Sequence, residues 1–149
     1  MEVVAWSQNL TDERAATYGA RRVSKEHLLA ASDVLSIHLV LGERTRGLFG
    51  SRELAQMKPT AVIVNTSRGP IIDEPALISA LRDGTIAGAG LDVYDHEPLP
   101  AGHELTTLAN VVLLPHLGYV NEAGFRQMYG QVLEDIKAFL HGSPVRTLG

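Results

Sequence analysis

Apolar positions gather into short runs along the chain: Glu2–Trp6, Ala20–Val23, Asp33–Val40, Ala61–Asn65, Ile86–Tyr94 and Asn110–His116. Apart from the weaker Ala20–Val23, they are apolar at consecutive positions, as strands buried on both faces should be. Helical patterns fill the spaces between them. Thr11-Asp12-Glu13 predicts a cap and a helix over Glu13–Tyr18, ended by Gly19. Ser24 precedes a helix over Lys25–Ala31, and Ser51 precedes one over Arg52–Met57 that stops near Pro59. Asp73, followed by Pro75, marks a capped start for a helix running to Gly84. Late in the chain Phe125, Met128, Tyr129, Val132, Leu133, Ile136, Phe139 and Leu140 recur at helical spacing, closed by Gly142. That stripe predicts a core-facing helix, with a partner-binding groove helix as the alternative.

Strand and helix alternating at this spacing imply right-handed crossovers and a mainly parallel sheet, hence an α/β fold. Pro98, Pro100 and Gly102 mark a surface loop, and no repeat or linker divides the chain. A length of 149 residues fits one domain with a real core. Apolar residues make up 45% and charged ones 20%, ordinary for a globular protein, and the net charge is −4. The charges of both signs are interspersed, so nothing points to nucleic acid as a partner. No apolar run reaches the roughly 20 residues that span a bilayer, and no membrane partner is expected. The start lacks the basic and apolar regions of a signal peptide. The absence of cysteine rules out disulfides and thiol catalysis and fits a cytoplasmic protein.

In open α/β sheets ligands bind beyond the carboxyl ends of the strands. The polar residues that follow each run are therefore the candidates: Ser7, Thr66-Ser67-Arg68, Asp92 and His116, with His38 inside the second long run and Glu97 shortly after Asp92. Arg68 can hold a carboxylate through two parallel hydrogen bonds. His116 can give a proton to a carbonyl oxygen or take one from a hydroxyl. Glu97, if it reaches His116, favours the imidazolium. Asp92 can orient a bound cofactor ring or amide. Together these groups describe interconversion of a 2-oxo acid and a 2-hydroxy acid, with hydride from a nicotinamide. Taken singly, each has a plainer reading. Arg68 suits a structural carboxylate or a helix C-terminus, His116 a satisfied core histidine, Glu97-Pro98 a turn and Asp92 a cap. His27, His96, His103 and His141 read as surface residues, and no set of side chains has metal-ligand spacing.

The segment NTSRGPIIDEPALISALRDGTIAGAGLDVYDHEPLP, Asn65 to Pro100, resembles the signature region of the D-isomer-specific 2-hydroxyacid dehydrogenases. LLPHLGYV resembles their histidine motif, and DVLSIHLVLGERTRGLFGSRELAQMKPTAVIVN also fits. The resemblance implies that Arg68 binds the substrate carboxylate, that His116 is the acid/base and that Glu97 is its partner. It places cofactor contacts at Thr66, Ser67, Asp92 and the stretch His116-Leu117-Gly118. It further implies a small 2-oxo or 2-hydroxy acid as substrate and a homodimer formed through the cofactor domain. A corepressor-type dinucleotide-sensing module, or an inert product, is the alternative on the same fold.

The family's G-x-G-x-x-G turn, which brings the backbone to a pyrophosphate at a helix N-terminus, is not found in the sequence. MEVVAW corresponds to the second strand of the doubly wound order 3-2-1-4-5-6. The expectation is thus a Rossmann-like parallel sheet lacking its first strand and glycine loop, with residues 1–149 as a partial dinucleotide-binding domain. Two strand edges should be left open, and the chain alone should fold poorly or fill the gap by another route, with little turnover. Ser7 stands where many relatives carry an acidic residue that bonds the ribose hydroxyls. No arginine follows at once, so NAD is the default cofactor and NADP stays open.

Overall fold

The computed structural model describes residues 1–147 and falls into two units, Met1–His116 and a second beginning at Leu117. The first unit contains strands β1 (Val4–Ala5), β2 (Arg21–Arg22), β3 (Val34–Ile37), β4 (Val62–Asn65), β5 (Gly88–Leu91) and β6 (Val111–Leu113). Between them lie helices α1 (Asp12–Thr17), α2 (Lys25–Ala31), α3 (Ser51–Leu54) and α4 (Glu74–Arg82). All strand pairs are parallel, as the alternation predicts.

The strands form two sheets, β1-β2 and β3-β4-β5-β6. Among the described residues no strand joins β1 to β3. That is the place of the central strand in the doubly wound order, so the expected open edges are at β1 and β3. In the larger sheet the register aligns Ile37 with Asn65, Asn65 with Leu91, and Leu91 with Leu113. The residues that follow this row therefore share one carboxyl edge.

The caps legible in the sequence recur at three helices. The side chains of Thr11, Ser24 and Asp73 accept from the N–H groups of Arg14, His27 and Ala76. At α3 the cap is Gly50 rather than Ser51, and Glu53 accepts the Gly50 N–H at 3.2 Å while also binding Lys25 Nζ at 3.0 Å. This helix ends at Leu54, earlier than expected.

Helices α2, α3 and α4 place Leu28, Leu29, Leu54, Leu77, Ile78 and Leu81 in one core with Leu35, Ile37 and Ile63 of the sheet. The expectation of strands buried on both faces therefore fails at β3. Leu35 and Ile37 are buried, whereas Val34 and Ser36 point outward, with Val34 61% exposed. On β6, Val112 is likewise exposed. An unbroken apolar run marks a strand, but it does not show which face the surrounding layers will cover.

In the second unit, Asn121 caps α5 (Glu122–Leu140) by accepting the Gly124 N–H at 2.7 Å. The apolar stripe is present at the expected spacing, but no residue of α5 is buried. The expectation of a core-facing helix is thus not met: the described residues of this unit include no other helix or strand against which the stripe can pack. Phe125 and Tyr129 stack on each other at 5.9 Å. No helix among the described residues is long and apolar enough to cross a membrane.

Ile63, fully buried on β4, and Val34, exposed on β3, give a direct contrast. Ile63→Ala is expected to lower unfolding free energy by about 2–5 kcal/mol, and Val34→Ala by less than about 0.5 kcal/mol. Denaturant titration of both variants checks this. Equal losses would contradict the assignment of the core to one face.

Candidate active site

The carboxyl edge is organised by Asn65, the last residue of β4, whose side chain is buried. Its Nδ2 donates to the Arg68 carbonyl at 2.9 Å, and its Oδ1 accepts from the Ser67 N–H at 3.0 Å. These bonds close the Thr66-Ser67-Arg68 segment into a fixed turn. The Ser67 hydroxyl donates to the carbonyl of Leu39, tying that turn to the segment after β3. Arg68 is exposed, and its Nη1 donates to the Ser67 carbonyl at 2.6 Å. Among the described residues no carboxylate forms an ion pair with Arg68, so the plainer reading of a structural partner does not hold. An arginine without an internal anion can take an external one.

Gly69 follows at the start of a 3-10 turn, Gly69–Ile71. A Cβ at Gly69 would lie 2.0 Å from the carbonyl carbon of Tyr94 and 2.2 Å from its oxygen. Only glycine lets the Arg68 turn lie against the chain that leaves β5. Tyr94 is buried there, and its hydroxyl lies 2.8 Å from the Leu114 carbonyl and 3.2 Å from that of Leu91. Burial raises the Tyr94 phenol above its ordinary pKa, which keeps the donor proton in place.

The Tyr94 N–H donates to Glu97 Oε1 at 3.0 Å, and Glu97 Oε2 meets His116 Nδ1 at 2.7 Å. Burial pushes the Glu97 carboxyl up. Against this act the hydrogen bonds from His116 and Tyr94 and the charges of His116 and Arg68, and the net result lies below the ordinary value. The contribution of Arg68 shows that the two groups share one electrostatic neighbourhood. His116 has a left-handed backbone, φ 56°, uncommon for a residue with a side chain.

Asp92, directly after β5, is buried and donates its N–H to the Asn65 carbonyl at 3.0 Å. Thr66, Ser67 and Arg68 line an open cleft of about 630 Å³ with His38 and Leu39–Leu41. Ser7 lies elsewhere, in a second cleft of about 200 Å³ that shares Leu39 and Val40 with the first. The structure thus gathers Arg68, Glu97, His116, Thr66, Ser67 and Asp92 at one end of the sheet. Ser7 borders the adjoining cleft, and Gly118 belongs to the second unit, inside the turn closed by the Val120 N–H on the Leu117 carbonyl.

Asn65, Gly69 and Tyr94 support the site without being candidates in the sequence. The available signals were an asparagine ending an apolar run and a glycine directly after the key arginine. His103, read as a surface residue, is instead engaged on both ring nitrogens. Nε2 lies 3.1 Å from Glu74 Oε1, and Nδ1 accepts from the Leu105 N–H at 3.3 Å. It fastens the far end of the loop that carries Glu97.

Residues 1–118 match the family described as D-isomer specific 2-hydroxyacid dehydrogenase, NAD binding domain. The chain belongs to this family. The glyoxylate reductase of Aeropyrum pernix is 44% identical over 142 residues, covering 95% of this chain and 42% of that protein. A solved oxidoreductase from Ralstonia solanacearum is similar over 100% of this chain and 44% of its own, with TM-score 0.91 and 36% identity. The D-lactate dehydrogenase of Lactobacillus jensenii, solved with NAD+, matches 99% of this chain and 48% of its own, with TM-score 0.84 and 28% identity. The chain spans less than half the length of each. Its first unit is therefore an NAD-binding domain of the 2-hydroxyacid dehydrogenase type, and the resemblance read from the motifs is correct.

Gly69→Ala is expected to destabilise this dehydrogenase domain by about 1–3 kcal/mol, because the Tyr94 backbone must give way. Wild-type stability in a denaturant titration would contradict the contact. The stability supplied by Glu97 is present above the ordinary carboxylate range and is lost as pH falls through its lowered pKa. In a carbon-detected NMR titration the Glu97 carboxyl should change below the ordinary carboxylate range. His116→Ala should move that midpoint upward, since the burial persists while the hydrogen bond goes. An unmoved midpoint would refute the coupling.

Proposed function

We propose that this chain supplies the cofactor-side half of a D-2-hydroxyacid dehydrogenase, which interconverts a small 2-oxo acid and its 2-hydroxy acid. The observation that carries this reading is Arg68, a cation with no carboxylate ion partner among the described residues, beside the Glu97–His116 pair. Arg68 binds the substrate carboxylate through paired hydrogen bonds and draws electron density from the neighbouring carbonyl. His116, with Nδ1 engaged by Glu97, exchanges a proton with the substrate oxygen through Nε2. The ionised Glu97 engages Nδ1 and so fixes the ring's tautomer and orientation.

The residues present fit a nicotinamide dinucleotide. The cleft at Thr66-Ser67 offers hydroxyls at the carboxyl edge, buried Asp92 lies at the end of β5, and the second cleft continues past Leu39 and Val40 to Ser7. Thr66, Ser67 and Asp92 would hold the nicotinamide end and Ser7 the adenosine end. When bound, the cofactor supplies or accepts the hydride. Side-chain selectivity for the substrate is set outside these residues, and glyoxylate is the first substrate to test because it is the simplest 2-oxo acid.

The test is a chimera in which this chain replaces the matching 142 residues of the Aeropyrum glyoxylate reductase. It should oxidise reduced nicotinamide in the presence of glyoxylate. Arg68→Ala should raise KM and lower kcat/KM by about 100-fold or more, as expected for losing two charge-assisted bonds. His116→Ala should lower kcat by about 10²–10⁴. An active chimera indifferent to either substitution would remove that residue from the mechanism.

A further inference from the structure

The cleft beside Ser7 contains a cation that sequence neighbourhood did not reveal. Its polar lining comes from Ser7, Gln8 and Asn9 after β1 and from Arg44 and Thr45 after β3, and Trp6 forms an apolar wall. Arg44 lies 37 residues from Ser7 in sequence, so it does not stand directly after the strand that Ser7 follows. No Asp or Glu lines the cleft.

Arg44 is exposed, and its side chain makes no hydrogen bond or ion pair among the described residues. The nearby Lys25 is different: its Nζ is 3.0 Å from Glu53 and 3.2 Å from the Leu48 carbonyl. The turn that carries Arg44 is well fixed. The Thr45 hydroxyl donates to the Val40 carbonyl at 2.7 Å and accepts the Gly42 N–H at 2.9 Å, while the N–H groups of Thr45 and Arg46 both donate to the Gly42 carbonyl at 3.0 Å.

Ser7 follows the strand after which an acidic residue would bond both ribose hydroxyls and repel a 2′-phosphate. Here no acidic residue supplies that repulsion, and Arg44 lines the same cleft. From this juxtaposition we infer that the cleft between the Ser7–Asn9 turn and Arg44 is a site for a ribose 2′-phosphate, and that the domain prefers NADP to NAD. The inference rests on the dinucleotide reading above and adds the choice between its two forms. Arg44 supplies charge-assisted hydrogen bonds to the phosphate, and the Ser7 hydroxyl and the Gln8 and Asn9 amides are available as neutral donors.

The experiment uses the full chain and its single tryptophan, Trp6, as a fluorescent reporter within the cleft. The probes are 2′,5′-ADP and 5′-ADP, which carry the same number of phosphates in different places. The 2′,5′-isomer should bind about tenfold tighter or more at low salt, and the advantage should shrink as salt is added. Arg44→Ala should abolish the difference, Arg44→Lys should keep part of it, and Ser7→Asp should reverse it, with circular dichroism checking that each variant folds. Equal affinity for the two isomers, or an undiminished preference in Arg44→Ala, would overturn the phosphate site and leave the dinucleotide reading intact. Absence of a fluorescence response to either nucleotide at millimolar concentration would overturn both.

Discussion

The active edge of this domain depends on a contact that has no room for a side chain. Gly69 lies so close to the Tyr94 backbone that two loops, one after β4 and one after β5, become a single structure. Arg68 precedes that contact and Glu97 follows it, so the glycine sets the spacing between the exposed Arg68 and the carboxylate that holds His116. Asn65 secures one side by closing its own turn with both ends of its amide. Tyr94 secures the other, with its hydroxyl on the segment that leads to His116. The chemistry rests on turns, but each is fastened to a strand end by buried hydrogen bonds.

The electrostatics follow from this geometry. Burial pushes the Glu97 carboxyl up, yet the hydrogen bonds from His116 and Tyr94 and the charges of His116 and Arg68 hold it below the ordinary value. The Glu97 carboxylate at Nδ1 fixes the orientation of the His116 ring. Arg68 acts twice: it favours the Glu97 anion from a distance and keeps its guanidinium available to a ligand carboxylate. Arg68, Glu97 and His116 thus form one electrostatic group.

What the sequence disclosed and what it concealed divide along physical lines. Caps at Thr11, Ser24 and Asp73 are local, each made by a side chain to an N–H three residues on, and they are legible from a few letters. The strand runs and their parallel order are legible for the same reason. Burial of a face is not local. Val34 and the stripe of α5 have core-like spacing, but whether they are covered depends on layers that spacing cannot report. The motifs single out Arg68, Glu97 and His116 as candidates, whereas the supports at Gly69 and Tyr94 exist only as a contact between loops. Arg44 was hidden for the same reason: its place in the second cleft comes from the fold, across the break between β1 and β3. His103 was misread because a polar residue in a Pro/Gly loop gives no sign of the Glu74 that meets it.

The central claim is that Arg68 and His116 form one site for a 2-oxo acid. The most direct measurement is a nitrogen-15 NMR titration of the chain with oxamate, an unreactive amide analogue of such an acid. The account predicts that the Arg68 side-chain Nε–H and the His116 ring nitrogens shift together along one saturation curve. The Arg68 response should vanish in Arg68→Ala. Shifts at only one of the two residues, or saturation at separate concentrations, would contradict it.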